Sequence, residues 1–264
     1  MSRGGVLMKI SCCIDMMFSH LDFYDRIPAV KGCGIDTVEF WKWSNKDINK
    51  IKKIVSDNDM SVSIFNMDSR DEKLSYDLSR GIINDGRADE FVSALIESIP
   101  VYKELDASAM IVLIGEGAPY NEENVYKCLK AAAPIAEKEG VNLIVEPLNA
   151  TDRVGYAMPY AKPVFEVLRR VASPNIKMLY DIYHQNMTGN FSMEDIRDNI
   201  DIIGHFHVAD APGRHEPGSG KVDYVKILKD ISAPDYDGYI GLEYRATKND
   251  AETLGFLKEA DYYV

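Results

Sequence analysis

Val141-Asn-Leu-Ile-Val-Glu-Pro-Leu-Asn-Ala-Thr-Asp152 reads as a short, fully apolar strand that ends on a carboxylate, Glu146, with Pro147 stopping the ladder immediately after it. A glutamate at the mouth of a buried strand is costly unless its charge is used there. Three later stretches repeat the arrangement: Met178-Leu-Tyr-Asp181, Gly204-His-Phe-His207 and Tyr239-Ile-Gly-Leu-Glu243. Each is an apolar run carrying an acid or a histidine at its C-terminal end.

Outward from this stretch the chain alternates. Strands are expected at Met8–Met17, Ile35–Trp41, Ser61–Met67, Ala109–Ile114, the opening stretch, Ile176–Ile182, Ile203–Ala209 and Tyr239–Tyr244. Helices are expected at Leu21–Lys31, Asp47–Asn58, Arg87–Leu105, Glu122–Glu139, Lys162–Val171, Met193–Ile200, Tyr224–Ile231 and Ala251–Tyr262. Gly32 and Gly140 close two of these helices, and Ser192 caps a third. Pro100 is expected to kink or interrupt the helix that contains it. The segment Asp68–Asp85 is too long for an ordinary connection and reads as a lid or binding loop. Eight strand-helix units in strict alternation over 264 residues imply a parallel sheet closed on itself: an α/β chain forming a single-domain (β/α)8 TIM barrel over residues 1–264. A doubly wound open sheet would carry a Gly-x-Gly-x-x-Gly turn after its first strand, where this chain has Asp15-Met-Met-Phe-Ser19.

The totals narrow the function. A net charge of -12 argues against a nucleic-acid partner, because phosphate contacts need a basic surface. No apolar run reaches the roughly 20 residues of a membrane span, and Met1-Ser-Arg-Gly-Gly5 lacks a signal-peptide core. A cytoplasmic protein with no membrane partner is expected. Cys12, Cys13, Cys33 and Cys128 form no Cys-x-x-Cys pair and are expected to be plain thiols.

In such a barrel the strand ends meet at the C-terminal rim, which gathers Glu146, Asp181, His207 and Glu243. Any one acid alone could be a strand-end residue paired with a lysine. Three carboxylates and an imidazole together would repel one another or take up protons unless a cation sat between them. A donor set of oxygens with one nitrogen suits Mn²⁺, Mg²⁺ or Co²⁺ better than structural zinc. His184, three residues after Asp181, would reach over the metal toward a substrate oxygen. His205 lies one layer deeper than His207 and reads as a hydrogen-bonded core or supporting histidine. In the polar loop Asp210–Lys221, Arg214 can clamp a carboxylate or phosphate. Trp41 and Trp43 end the second strand, as an apolar wall over the substrate or as rim packing.

With these residues identified, the chain resembles the hydroxypyruvate isomerase family, within the xylose-isomerase-like barrels that include ketose 3-epimerases and endonuclease IV. The matching pieces are Glu146-Pro-Leu-Asn149 with Gly155-Tyr156, Tyr180-Asp-Ile-Tyr-His184, Gly204-His-Phe-His-Val-Ala-Asp-Ala-Pro-Gly-Arg-His-Glu-Pro-Gly-Ser-Gly220, and Gly238-Tyr-Ile-Gly-Leu-Glu-Tyr244, with Arg80-Gly-Ile, Gly86-Arg87 and Glu90-Phe91 as a weaker match. The resemblance implies a metal held by Glu146, Asp181, His207 and Glu243, with Glu146 and Glu243 as the acid/base pair and Asp152, His184 and Arg214 near substrate. It further implies a metal-dependent intramolecular oxidoreductase of the aldose-ketose type. Its substrate would be a small hydroxy-oxo acid such as hydroxypyruvate or a longer oxo sugar acid, converted through an enediolate without an organic cofactor. Family members often carry glutamine where His207 stands, whereas the epimerases carry histidine, which leaves a ketose 3-epimerase as the alternative. A non-catalytic sugar-acid-binding subunit would have lost one of the two glutamates, and both are present. The expected partner is a small molecule, and a homo-oligomer is left open.

Overall fold

In the computed structural model, which describes residues 8–117, 119–231 and 236–259, eight parallel strands pair in chain order and close on themselves, β8 lying beside β1. The strands are β1 (Lys9–Cys13), β2 (Thr37–Lys42), β3 (Ser61–Asn66), β4 (Ala109–Leu113), β5 (Leu143–Glu146), β6 (Ile176–Asp181), β7 (Ile203–Val208) and β8 (Tyr239–Leu242). The helices are α1 (Arg26–Gly32), α2 (Ile48–Asp57), α3 (Glu72–Leu78), α4 (Ala88–Leu105), α5 (Glu122–Glu139), α6 (Ala161–Val171), α7 (Ile182–Met187), α8 (Met193–Asp198), α9 (Tyr224–Ile231), α10 (Asp250–Thr253) and α11 (Gly255–Glu259). This is the (β/α)8 barrel expected from the alternation.

The layering inside the barrel follows from the two-residue period of a strand. Ile144 and Glu146, Leu179 and Asp181, and His205 and His207 are such pairs, one deeper and one at the rim. On β3 to β6 the deeper layer is apolar, formed by Ile64, Ala109, Ile111, Ile144 and Leu179. On β1, β2 and β7 it is polar and fully buried, with Ser11, Glu39 and His205, joined by Ser63 of β3. The main apolar core lies between the strands and the helices.

Several expected boundaries are corrected. Inside Asp68–Asp85 the chain forms α3, because the Asp71 side chain accepts the Leu74 N–H at 2.8 Å and caps it. Helix α7 was not expected; Asp181 both ends β6 and caps this helix, its Oδ1 accepting the N–H groups of Tyr183 at 2.7 Å and His184 at 3.2 Å. Pro100 does not interrupt α4, which buries Ser98, Ile99, Val101 and Tyr102 on both sides of it. β1 is shorter than Met8–Met17, and α8 stops at Asp198 before a 3-10 turn over Ile200–Ile202. The last expected helix is two short ones, and residues 260–262 of that expectation lie outside the described residues. No helix is long and apolar enough to cross a membrane among the described residues.

Candidate active site

Glu146, Asp181, His207 and Glu243, from the ends of β5, β6, β7 and β8, each offer one ligand atom, and these four atoms lie within 4.8 Å of one another. All four residues are buried, with exposures of 5%, 1%, 1% and 4%. They underlie a cavity of about 340 Å³ lined by Trp41, Lys42, Asn66, Leu113, Leu148, Asp152, His184 and Arg214, with Glu146 and Glu243 at its base.

The hydrogen bonds show what is spent and what is left over. Asp181 Oδ1 caps α7, which leaves Oδ2 facing the cluster. The Asn149 backbone N–H and side-chain Nδ2 stand 3.2 and 2.6 Å from His184 Nδ1, while Nε2 lies 3.3 Å from Asp181 Oδ2 and 3.2 Å from Arg214 Nη1. Burial brings the His184 imidazole down to about 4, against the pull of Asp181 upward, so it is neutral near pH 7. His207 Nδ1 stands 2.9 Å from Glu243 Oε2 and 3.6 Å from Glu146 Oε1. Its other nitrogen, Nε2, stands 2.9 Å from Glu39 Oε1.

Arg214 has other neighbours than a free substrate clamp would. Its Nη2 donates to Glu243 Oε2 and, at 3.3 Å, to Asp181 Oδ2, while Nε donates to the Glu243 backbone oxygen at 3.3 Å. One positive charge thus already stands among the three carboxylates. Trp41 Nε1 donates to Glu243 Oε1 at 2.7 Å. Burial pushes the Glu243 carboxyl up, but Arg214 and His207 outweigh it and hold it well below the usual range. Glu146 has no such guanidinium, and burial together with the neighbouring carboxylates pushes it up despite His207.

These donors suit a divalent ion. Glu146 Oε1 and His207 Nδ1 are buried and make no well-directed hydrogen bond, although most buried polar atoms have one. Burial pulls the His207 imidazole down, but Glu243 and Glu39 outweigh it and raise the ring well above its usual range, so the positive charge between these carboxylates is a proton that a divalent ion on the same donors would displace.

The other expected residues fall around this cluster, with one exception. Asp152 lines the cavity and accepts from Asn149 Nδ2 at 3.0 Å and from the Tyr183 hydroxyl at 2.7 Å. Trp41 is 38% exposed at the cavity wall. Trp43 is not there: it is 1% exposed in the core, where its Nε1 donates to Ser98 Oγ, because β2 ends at Lys42 and the two-residue period that would set Trp43 on the face of Trp41 ends with it.

The sequence reading missed Glu39, Cys13 and Asp210. Glu39 breaks the apolar run of β2 just as Glu146 ends that of β5, and the same cost argument would have found it. The Cys13 thiol lies 3.9 Å from Glu243 Oε1 and only barrel closure brings it there. Asp210 organises the Arg214 loop, its carboxylate accepting the N–H groups of Ala211, Gly218, Gly220 and Val222. Gly220 leaves the space it needs, since a Cβ there would sit 2.4 Å from Asp210 Oδ1.

A family model described as a xylose isomerase-like TIM barrel matches residues 27–260. The hydroxypyruvate isomerase of Escherichia coli (strain K12) is 30% identical over 246 residues, 90% of this chain and 94% of that protein. The 2-oxo-tetronate isomerase of Cupriavidus necator is 28% identical over 254 residues, 93% of this chain and 95% of that protein. Among solved structures, an AP endonuclease, family 2, from Brucella melitensis superposes with a TM-score of 0.86 at 24% identity, covering 96% of this chain and 98% of that one. A D-psicose 3-epimerase solved in the presence of D-fructose gives 0.76 at 17% identity, covering 97% and 100%. At these identities the two structures share the fold.

Proposed function

The chain belongs to the xylose isomerase-like TIM barrel family and is an isomerase, and we propose that it shifts the carbonyl of a small hydroxy-oxo acid such as hydroxypyruvate by one carbon, with Glu146 and Glu243 as acid and base. The observation that carries this reading is the pair of glutamates facing one four-donor cluster at the base of the cavity, with Glu146 Oε1 and His207 Nδ1 unsatisfied. The relatives named for hydroxypyruvate and 2-oxo-tetronate support the substrate class.

Glu146, Asp181, His207 and Glu243 would hold a divalent ion, Mn²⁺, Mg²⁺ or Co²⁺. When bound, the ion supplies fixed positive charge that offsets the negative charge developing on the substrate oxygens, worth several kcal/mol. One glutamate removes the proton from the hydroxyl-bearing carbon, it or its partner returns a proton to the neighbouring carbon, and the hydroxyl proton passes to the former carbonyl oxygen, so that the product is an isomer of the substrate. Arg214 and Trp41 keep Glu243 ionised and fixed in place for this exchange. His184, neutral, presents Nε2 beside the cavity between Asp181 Oδ2 and Arg214 Nη1; Asp152 and Tyr183 can bind a hydroxyl. For the acid's charge, Arg214 offers Nη1, which stands 3.2 Å from His184 Nε2. Lys42 lines the same cavity with its Nζ on the neutral oxygens of Ser75.

A 3-epimerase acting on an unphosphorylated ketose is the second reading, favoured by histidine rather than glutamine at position 207. Purified protein supplied with Mn²⁺ and either hydroxypyruvate or a panel of ketoses separates the two when products are identified by NMR. Tartronate semialdehyde is the expected product, and its formation stops in excess chelator. Ketose epimerisation with no turnover of the acid would replace the first reading by the second.

A further inference from the structure

Glu39 is a carboxylate in the middle of β2, 1% exposed and enclosed by the barrel. Ser11 Oγ donates to its Oε2 at 2.5 Å and Ser63 Oγ at 3.3 Å. His205 Nε2 lies 3.2 Å from Oε2, and His207 Nε2 lies 2.9 Å from Oε1. The room is reserved: a Cβ on Gly241 of β8 would sit 2.6 Å from both Glu39 oxygens and from His205 Nε2. A buried charge paired this way contributes little to stability compared with apolar packing. The arrangement is explained instead by what it does to the histidine above it. Two serine hydroxyls hold Oε2, His205 Nε2 stands near it without a squarely aligned bond, and Oε1 faces His207.

We propose that Glu39 is a positioning residue for the cation site: it keeps the ring hydrogen of His207 on Nε2 and so presents Nδ1 as a lone pair to the space between Glu146 and Glu243. This rests on the metal reading of the proposed function. The N–H of His207 is not squarely aligned on Glu39 in this arrangement, and such bonds tighten when the ligand arrives. A carboxylate behind a ligating imidazole raises its basicity and fixes its orientation. His205 acts one step further back, on the other oxygen of the same carboxylate.

The test is Mn²⁺ binding, measured by calorimetry or by the electron paramagnetic resonance of free Mn²⁺, on wild type, Glu39→Gln, His207→Gln and the double variant. Glu39→Gln is expected to weaken Mn²⁺ binding about 10- to 100-fold, and to add nothing once His207 is glutamine, because Glu39 acts through that ring. Unchanged affinity in Glu39→Gln overturns the inference, as does an equal loss in the His207→Gln background. Two ions per wild-type chain, the second lost with Glu39, would make Glu39 a ligand and also overturn it. Wild type that binds no Mn²⁺ removes the metal reading itself, which distinguishes that failure from this one. Should Glu39→Gln fail to fold, nitrogen-15 NMR of Mg²⁺-loaded wild type decides: hydrogen on His207 Nε2 supports the inference, and hydrogen on Nδ1 overturns it.

Discussion

At Glu243 four neighbours converge on one carboxylate: the Arg214 guanidinium, the Trp41 indole, the His207 imidazole and the Cys13 thiol. Glu243→Gln keeps the size and removes the base, so kcat is expected to fall about 10²- to 10⁴-fold with circular dichroism unchanged; a near-normal rate would end its assignment as acid or base. Trp41→Phe keeps an aromatic wall and removes the indole donor. A hydrogen bond to a charged group is worth about 1.5–3 kcal/mol, so kcat is expected to drop roughly 10- to 100-fold. The melting temperature should barely move, since Trp41 is 38% exposed. Loss of stability without loss of rate would make Trp41 a packing residue only. Glu243 was legible from its place at the end of an apolar run; that the Trp41 indole donates to it and the Cys13 thiol lies beside it was not, because these residues lie 202 and 230 positions away in the chain.

Two loops at the rim are tied down by buried carboxylates, Asp210 and Glu216. Asp210 gathers four backbone N–H groups of its own loop and so presents Arg214 to the cluster. Glu216 joins that loop to the one after β8, accepting from Thr247 Oγ1 at 2.5 Å and from the Thr247 N–H at 3.0 Å. Burial pushes the Glu216 carboxyl up, but the Thr247 bonds outweigh it and hold it below its ordinary value near 4.5. A carboxylate with a depressed folded pKa stabilises the fold above its unfolded pKa, and that contribution is lost as pH falls through the folded value. Thr247→Val should therefore cost about 1 kcal/mol of unfolding free energy at pH 7, and the difference from wild type should shrink below pH 4.5. A gap that stays constant down to pH 3 would tie the effect to packing instead of to the ionised carboxylate. Such loop-to-loop bonds leave no periodic trace in the sequence. Helix α7 also went unexpected, although Asp181 is of a residue type that caps helices as readily as it ends strands.

The whole barrel should respond to the ion, because its four donors come from β5, β6, β7 and β8, and β8 pairs with β1 to complete the ring. A ligand that binds only the folded state at 100 times its dissociation constant adds about 2.7 kcal/mol. In a chain of this size that corresponds to a rise of roughly 5–10 °C in Tm. Differential scanning calorimetry with excess chelator and then with Mn²⁺ checks this, and coincident melting curves would argue against the four residues as a metal centre.

Alternation of apolar runs with amphipathic segments sufficed, from sequence alone, for eight strands, their parallel order and the closed barrel, because burial of one face per element is a local property of the chain. The same pattern, with a charged residue at four successive strand ends, picked out Glu146, Asp181, His207 and Glu243. Only the tertiary structure decided how charge is shared among them. Closure sets Arg214 against Glu243 and Asp181, carries Trp41 to the same carboxylate, and places Glu39 of β2 behind His207 of β7. Electrostatic pairing depends on distance through space, and in a closed ring residues far apart in the chain become neighbours across the axis.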